Sequence, residues 1–197
     1  MIHPDTKLHF INDELGYGVV ATRFIPEGTV TWVLDKLDRV FSPSEIEEFP
    51  KEFLDAVSKY CFRNNSGRYV LCWDNTKFVN HSFDPNCMIT AFDFEISIRD
   101  IKAGEQITND YGCFNIIRSF RPNDEGKRRK IVYPDDLAKY YQSWDKKLLS
   151  AFKKIKNVDQ PLFEFISVDL WDKCCRIANG KEEMVSILNC YYKDPVE

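Results

Sequence analysis

The chain has 197 residues, of which 44% are hydrophobic and 14% aromatic, so it carries enough apolar material for a packed core and does not have the composition of a disordered protein. Its formal net charge of −4 argues against a general affinity for nucleic acid but is compatible with a basic peptide partner. No apolar run approaches the roughly 20 residues that cross a bilayer, and residues 1–14 lack the layout of a secretory signal. We therefore expect an intracellular protein, cytoplasmic or nuclear, with no membrane partner and no direct nucleic-acid binding.

The seven cysteines are odd in number, and none of them forms a C-x-x-C pair. Such a set is a poor framework for disulfides and is typical of a reducing compartment. We expect reduced thiols that are mostly buried.

Residues 1–118 consist of short apolar or alternating segments separated by turn residues, which is the pattern of a mostly β unit. Residues 43–60 differ, because their apolar residues fall at helical spacing; they predict a helical insert that restarts at Pro50. The predicted strands are 8–11, 18–25, 29–34, 68–73, 87–101 and 106–108, with a turn at Asp93 inside the fifth.

Residues 119–133 are polar and predict a linker or exposed loop, in which the basic run 127–130 is expected to be solvated. From residue 134 the apolar period becomes 3.6, which predicts a C-terminal helical extension over 134–197. One helix face runs from Leu137 to Ile155, a second helical segment covers 162–177, and a third carries Met184 to Tyr191. Their apolar stripes are expected to pack against the β unit.

The stretch KFVNHSFDPNC, residues 77–87, contains His81 between polar and reactive groups. A zinc site would need about four ligands, and His81 with Cys87 supplies two. A cysteine–histidine nucleophilic dyad and a satisfied structural histidine are the alternatives. The stretch by itself favours the structural interpretation.

Two further motifs flank this stretch in the chain. Gly16-Tyr17-Gly18 opens a predicted strand, and Asp110-Tyr111-Gly112 ends another. Each is compatible with an ordinary β turn. The first is not a dinucleotide fingerprint, because no third glycine follows and a strand comes next.

Taken in order, GYG with IPEGT, then KFVNHSFDPNC, then IKAGEQITNDYG resemble the SET-domain protein lysine methyltransferases over about residues 7–115. The resemblance implies a mostly β fold with some α: small curved β-sheets with a pseudoknot-like C-terminal threading that brings the DYG segment beneath the NHS loop, followed by the helical extension.

The resemblance also implies methyl transfer from S-adenosylmethionine to the ε-amine of a lysine in a protein substrate, such as a histone or another basic protein. Tyr111 and Tyr60 are the implied catalytic residues and, together with Asn109, they border the substrate lysine. Asp74 matches an acidic family position that we interpret as structural. The implied cofactor-binding residues are Gly16, Tyr17, Gly18, Asn80, His81 and Phe114.

The chain departs from the family pattern at two places. Cys87 matches a zinc-binding cysteine of family members with a post-SET segment, but the downstream C-x-C is missing, so we expect no metal. Asn109 stands where the family usually has Phe or Tyr, a position that helps to set the number of methyl groups added. These departures motivate an alternative: a catalytically weak or inactive SET-like module that binds a protein partner.

Overall fold

The structure, a computed structural model, describes residues 1–193, so the last four residues of the predicted extension lie outside the described residues. Within this range the strands are β1 Thr6–Asn12, β2 Gly16–Ala21, β3 Val30–Val33, β4 Arg39–Phe41, β5 Cys61–Arg63, β6 Tyr69–Leu71, β7 Asn80–His81, β8 Cys87–Ile89, β9 Phe94–Ser97 and β10 Thr108–Asn109. The α-helices are α1 Pro43–Glu47, α2 Lys51–Tyr60, α3 Asp136–Phe152 and α4 Val168–Ala178.

The strands form four small sheets, as the resemblance implies. β1 and β2 make an antiparallel hairpin, and β3-β9-β8 and β4-β6-β5 are antiparallel three-stranded sheets. The β8–β9 connection turns at Asp93, whose φ of 56° lies in the left-handed region, so the predicted turn is confirmed.

The fourth sheet is a parallel pair of two-residue strands, β7 and β10. The backbone N–H of Ser82 extends the pairing by donating to the Asn109 carbonyl over 2.9 Å. This pairing places the Asn80-His81 motif directly beside the segment that leads into Tyr111.

The predicted helical insert consists of α1 and α2, which are separated at Pro50 as expected. Ser42 and Glu45 form a capping box at the start of α1, and Pro43 occupies its first turn. Pro50, in an extended conformation, is the N-cap of α2 and separates it from α1, which ends at Glu47.

The C-terminal helices share one hydrophobic core with the sheet β3-β9-β8. Leu148 and Phe152 of α3 and Ile177 of α4 are buried in the same cluster as Phe94 and Ile96 of β9. The side chain of Gln160 closes the edge of β3, accepting from the Val30 backbone N–H over 2.9 Å and donating to the Gly28 carbonyl over 2.8 Å. The predicted packing of the helical stripe against the β unit is confirmed.

Two of the predicted helical segments differ from the structure. The second begins as a 3₁₀ turn, Phe163–Phe165, before α4, and the third is reduced to a 3₁₀ turn, Ile187–Cys190. Side chains from other segments form hydrogen bonds with backbone groups that a third helix would use for its own hydrogen bonds. Asp145 accepts from the Ile187 N–H over 2.8 Å, and Asn115 donates to the Cys190 carbonyl over 2.8 Å.

The predicted solvated loop is wrong for Arg129. Its guanidinium contacts two carboxylates whose side chains are each 1% exposed, Asp110 of the DYG motif and Asp136 in the first turn of α3, the latter over 2.6 Å. Phe120 and Val132 also pair through their backbones, so both ends of the segment are anchored. None of the described helices is long and apolar enough to cross a membrane.

Replacing Arg129 by Met should destabilise the protein by about 3–5 kcal/mol, because it leaves two buried carboxylates without their cation. Urea unfolding at pH 7.5 measures the change. The adjacent Arg128 is exposed, so Arg128→Met is the matched control and should change the free energy of unfolding by less than about 0.5 kcal/mol. Equal effects of the two substitutions would contradict the role assigned to the buried triad.

Candidate active site

Tyr111 is held by two hydrogen bonds to the segment that contains the Asn-His motif. Its backbone N–H donates to Nδ1 of His81 over 3.1 Å, and its hydroxyl donates to the Val79 carbonyl over 2.7 Å. Burial, reinforced by the charge of Glu95, raises the pKa of Tyr111 to about 12, so the phenol keeps its proton at physiological pH. Since that proton is directed at Val79, the lone pairs of the phenol oxygen are free for another group.

The imidazole of His81 is neutral and packed among aromatic rings. Burial lowers its pKa to about 4. Phe83, Tyr111 and Phe120 surround the ring with centroid distances of 4.5, 5.5 and 5.8 Å. Because Nδ1 accepts a hydrogen bond, the proton belongs on Nε2, which is buried without a hydrogen-bond partner among residues 1–193.

The Gly16-Tyr17-Gly18 motif opens β2 beside Asn80. The Asn80 amide nitrogen donates to the Tyr17 carbonyl over 3.2 Å and to Oε1 of Gln106 over 3.1 Å. A Cβ on Gly18 would lie 2.7 Å from the Asn80 amide nitrogen and 2.7 Å from Gln106 Oε1. Gly18 is therefore required for the close approach of β2 to Asn80.

A cavity of about 850 Å³ lies between the sheet β4-β6-β5, α2 and the DYG segment. Four of the residues singled out from the sequence line it: Tyr60, Asn109, Tyr111 and Phe114. The others, Gly16, Tyr17, Gly18, Asn80 and His81, lie outside its lining. They connect to it through Tyr111 and through Phe78, whose ring contacts both Tyr17 and Tyr60 at centroid distances of 6.5 and 5.5 Å.

Four polar residues of the cavity lining form no side-chain hydrogen bond of ordinary geometry within residues 1–193, and we call them the polar floor: Trp32, Thr76, Glu95 and Asn109. Trp32 Nε1, Thr76 Oγ1 and Asn109 Nδ2 are buried without a hydrogen bond within the described range. Each unsatisfied buried group costs about 1–3 kcal/mol. Their collection in one cavity indicates a site for a polar ligand group.

Glu95 is the charged member of the polar floor and is only 4% exposed. Burial raises the pKa of its carboxyl to about 7; the nearby Asn109 amide opposes this shift, although it lies outside ordinary hydrogen-bond geometry. No basic side chain forms an ion pair with Glu95 in the described part of the chain. It is thus a buried carboxyl that can lose or gain a proton near neutral pH.

The sequence motifs identified Asn109 but missed the other members of the polar floor and Arg129. Glu95 follows Phe94 in an apolar strand, and a charged residue at such a position ordinarily faces solvent. All four residues of β9 are buried, because the strand is covered on both faces. The acidic residue Glu95 within an apolar strand was the available signal. It becomes informative only when both faces of that strand are known to be covered.

The zinc and dyad hypotheses for His81 find no support in these contacts. Its hydrogen-bond and ring partners are the backbone of Tyr111 and three aromatic side chains. Cys87 is a fully buried free thiol, and burial raises its pKa. Residues 1–193 contain no group of three or more His, Cys, Asp or Glu side chains arranged to hold a metal ion.

A protein-family model, the SET domain, matches residues 16–112. Residues 16–112 form a SET domain. The match begins at the first glycine of the GYG motif and ends at the glycine of DYG, so it contains all three motifs. The SET family consists in general of protein lysine methyltransferases that use S-adenosylmethionine.

A more distant similarity covers 128 residues. Over this stretch the chain is 25% identical to a Plasmodium falciparum (isolate 3D7) protein named "Putative histone-lysine N-methyltransferase 1". The aligned part is 57% of this chain but 2% of that relative, so the chain spans a very small part of its length.

Replacing Glu95 by Gln should stabilise the SET domain more at high pH than at low pH. The Glu95 carboxyl has a folded-state pKa of about 7 against an ordinary value of 4.5. The contribution of the protonated carboxyl to the free energy of unfolding is therefore fully present below about pH 4.5 and is lost as the pH rises through 7. Between pH 5 and pH 8, the free energy of unfolding of the variant minus that of the parent should therefore increase by about 2 kcal/mol.

Urea unfolding of both proteins at the two pH values measures this difference. Glu164→Gln, an exposed substitution of the same kind, is the control and should show no pH-dependent gain. If the stability of Glu95→Gln relative to the parent decreased with rising pH, the fold would stabilise the charged carboxylate instead.

Proposed function

We propose that this SET domain transfers a methyl group from S-adenosylmethionine to the ε-amine of a lysine in a protein substrate. The observation that carries the proposal is the position of Tyr111: its hydroxyl is pinned to Val79 in the wall of a cavity that Tyr60 and Phe114 also line. The residues of the other two motifs lie directly behind it.

The residues present fit the methyl donor. Gly16, Tyr17 and Gly18 offer main-chain groups beside the Asn80 amide, and Tyr17 is 53% exposed. The orphaned Nε2 of His81 is a buried donor without a protein acceptor. We assign cofactor binding to these residues together with Phe114, whose ring lies 5.8 Å from that of Tyr111. When bound, the donor supplies a methyl group activated by a positively charged sulfur.

The cavity suits a lysine side chain because its walls are largely aromatic and aliphatic. Such surroundings disfavour the ammonium form and so promote the neutral amine that attack requires. The neutral phenol of Tyr111 presents lone pairs to the amine and to the methyl group in transfer, which is an electrostatic and positioning role. Tyr60 forms the facing part of the channel.

We propose a histone or another basic protein as substrate, in keeping with the net charge of −4 and with the name of the Plasmodium relative. We also propose that residues 1–118 form the catalytic unit, with 119–133 as a connecting segment and 134–197 as an extension that supports it. Asn109 in the polar floor favours few methyl groups per lysine, because its amide can hold a water molecule. An intracellular location, cytoplasmic or nuclear, without a bound metal belongs to the same proposal.

Tyr111→Phe should lower the methylation rate at least a hundredfold while the protein stays folded, because it removes the phenol oxygen and one hydrogen bond. Transfer of labelled methyl groups from S-adenosylmethionine to core histones and to a whole-cell lysate measures the rate. Tyr133→Phe changes an exposed tyrosine that is not part of the cavity lining and should leave the rate unchanged. Unaltered labelling by Tyr111→Phe would refute the assigned role.

Gly18→Ala should weaken the binding of S-adenosylmethionine at least tenfold, because the new Cβ displaces the Asn80 amide that lies 2.7 Å away. Isothermal titration calorimetry measures the affinity. The same titration tests the alternative of a catalytically inactive module that binds a protein partner, which the replacement of the usual Phe or Tyr by Asn109 motivates. Absence of cofactor binding to the parent protein would favour that alternative.

A further inference from the structure

Apart from Asn109, the residues of the polar floor have no assigned task in the proposed reaction, yet they line the same cavity as Tyr60 and Tyr111. Glu95 lies in the central strand of its sheet, where the register pairs it with Trp32 of β3 and with Ile89 of β8. This placement on a central strand fixes the carboxyl within the fold. It borders the cavity, and no basic side chain of residues 1–193 forms an ion pair with it.

We propose that Glu95 receives the ε-ammonium of the substrate lysine at the polar floor and accepts its proton before methyl transfer. A buried carboxylate without a cation is complementary to one ammonium group, and Thr76 Oγ1 offers a further acceptor. The inference rests on the proposed function for the identity of the amine and goes beyond it by naming the group that binds and deprotonates it.

The step balances in protons and electrons. A proton moves from Nζ of the ammonium to Oε of Glu95, which leaves a neutral amine and a neutral acid in the cavity. With the methyl donor bound, the amine lone pair would form the N–C bond to the methyl carbon while the C–S bond breaks and its electrons stay with sulfur. The methylated product carries the positive charge away, and Glu95 returns its proton to solvent.

Tyr111 is unsuited to this task, because its hydroxyl proton is committed to the Val79 carbonyl and its pKa is raised to about 12. The thiols around Glu95 are also unsuited, since burial raises their pKa; they belong to Cys72, Cys87 and Cys113. The other charged groups near Glu95 or lining the cavity are the N-terminal ammonium of Met1, which lowers the pKa of Glu95 and is itself paired with Asp35, and the side chains of Asp74, Asp55, Lys59, Arg63, Lys77 and Arg118. Of these, Asp74 raises the pKa of Glu95, which makes it a better proton acceptor.

The binding part of the proposal is tested without turnover. n-Butylammonium copies the lysine side chain, and n-butanol is its neutral counterpart; their affinities for the full chain at pH 8 are measured by ligand-observed NMR. The parent should bind the ammonium at least tenfold more tightly than the alcohol, and Glu95→Gln should abolish this preference. The surface variant Glu164→Gln should retain it. A preference that Glu95→Gln leaves intact would overturn the proposal.

The proton-transfer part is tested by the pH profile of kcat/KM on core histones. The parent should rise through about pH 7 and then level off, because the free enzyme needs an ionised Glu95. Glu95→Gln should instead rise about tenfold per pH unit towards the ordinary pKa of lysine, about 10.4. Glu95→Asp, which keeps the acid, should restore the plateau in part. Identical profiles for parent and Glu95→Gln would overturn the assignment.

The two proposals fail in different ways. If the parent methylates no protein but binds n-butylammonium through Glu95, the methyltransferase function is wrong and the ammonium site stands. If the parent methylates proteins and neither ligand preference nor pH profile depends on Glu95, the function stands and this inference is wrong.

Discussion

The organisation of the site depends on the pairing of the Asn80-His81 segment with the segment that ends in Tyr111. A parallel pair of two-residue strands is too short to be stable alone, so its stability comes from the additional hydrogen bonds that Tyr111 makes with Val79 and His81. These contacts join parts of the chain about 30 residues apart. They place the phenol in the cavity wall and the Gly16-Tyr17-Gly18 and Asn80-His81 motifs behind it. The relative positions of the three motifs therefore depend on this strand pairing.

Two buried acidic residues near this strand pairing differ in whether a basic side chain compensates their charge. Asp110 is compensated by Arg129, which also contacts Asp136 and thereby connects α3 to the DYG motif. Glu95 has no such cation, although it is nearly as buried. A compensated buried charge supports structure, whereas an uncompensated one is costly to the fold and is typical of functional sites. The ion pair of Asp110 with Arg129 is therefore structural, whereas the carboxyl of Glu95 is available to bind a ligand.

Local sequence signals predicted much of the fold, and the successes share a physical basis. The helical insert was predictable because its caps and Pro50 act through neighbouring residues, and the Asp93 turn because a short polar residue tolerates the left-handed region. The third helical segment was not predictable, because side chains distant in sequence, Asp145 and Asn115, take its backbone groups. The same holds for Arg129, whose burial depends on partners from two other segments.

Sequence alone was enough to recognise the SET domain and its three motifs, because these lie in short ordered stretches whose residue types are informative without coordinates. The tertiary structure was needed to show which of those residues line the cavity, that Arg129 is a structural cation and not a solvated one, and that Glu95 belongs to the polar floor. The reason is that burial and charge compensation are properties of surroundings assembled from distant segments. A strand residue such as Glu95 has the same local pattern whether its face meets open solvent or the lining of a cavity.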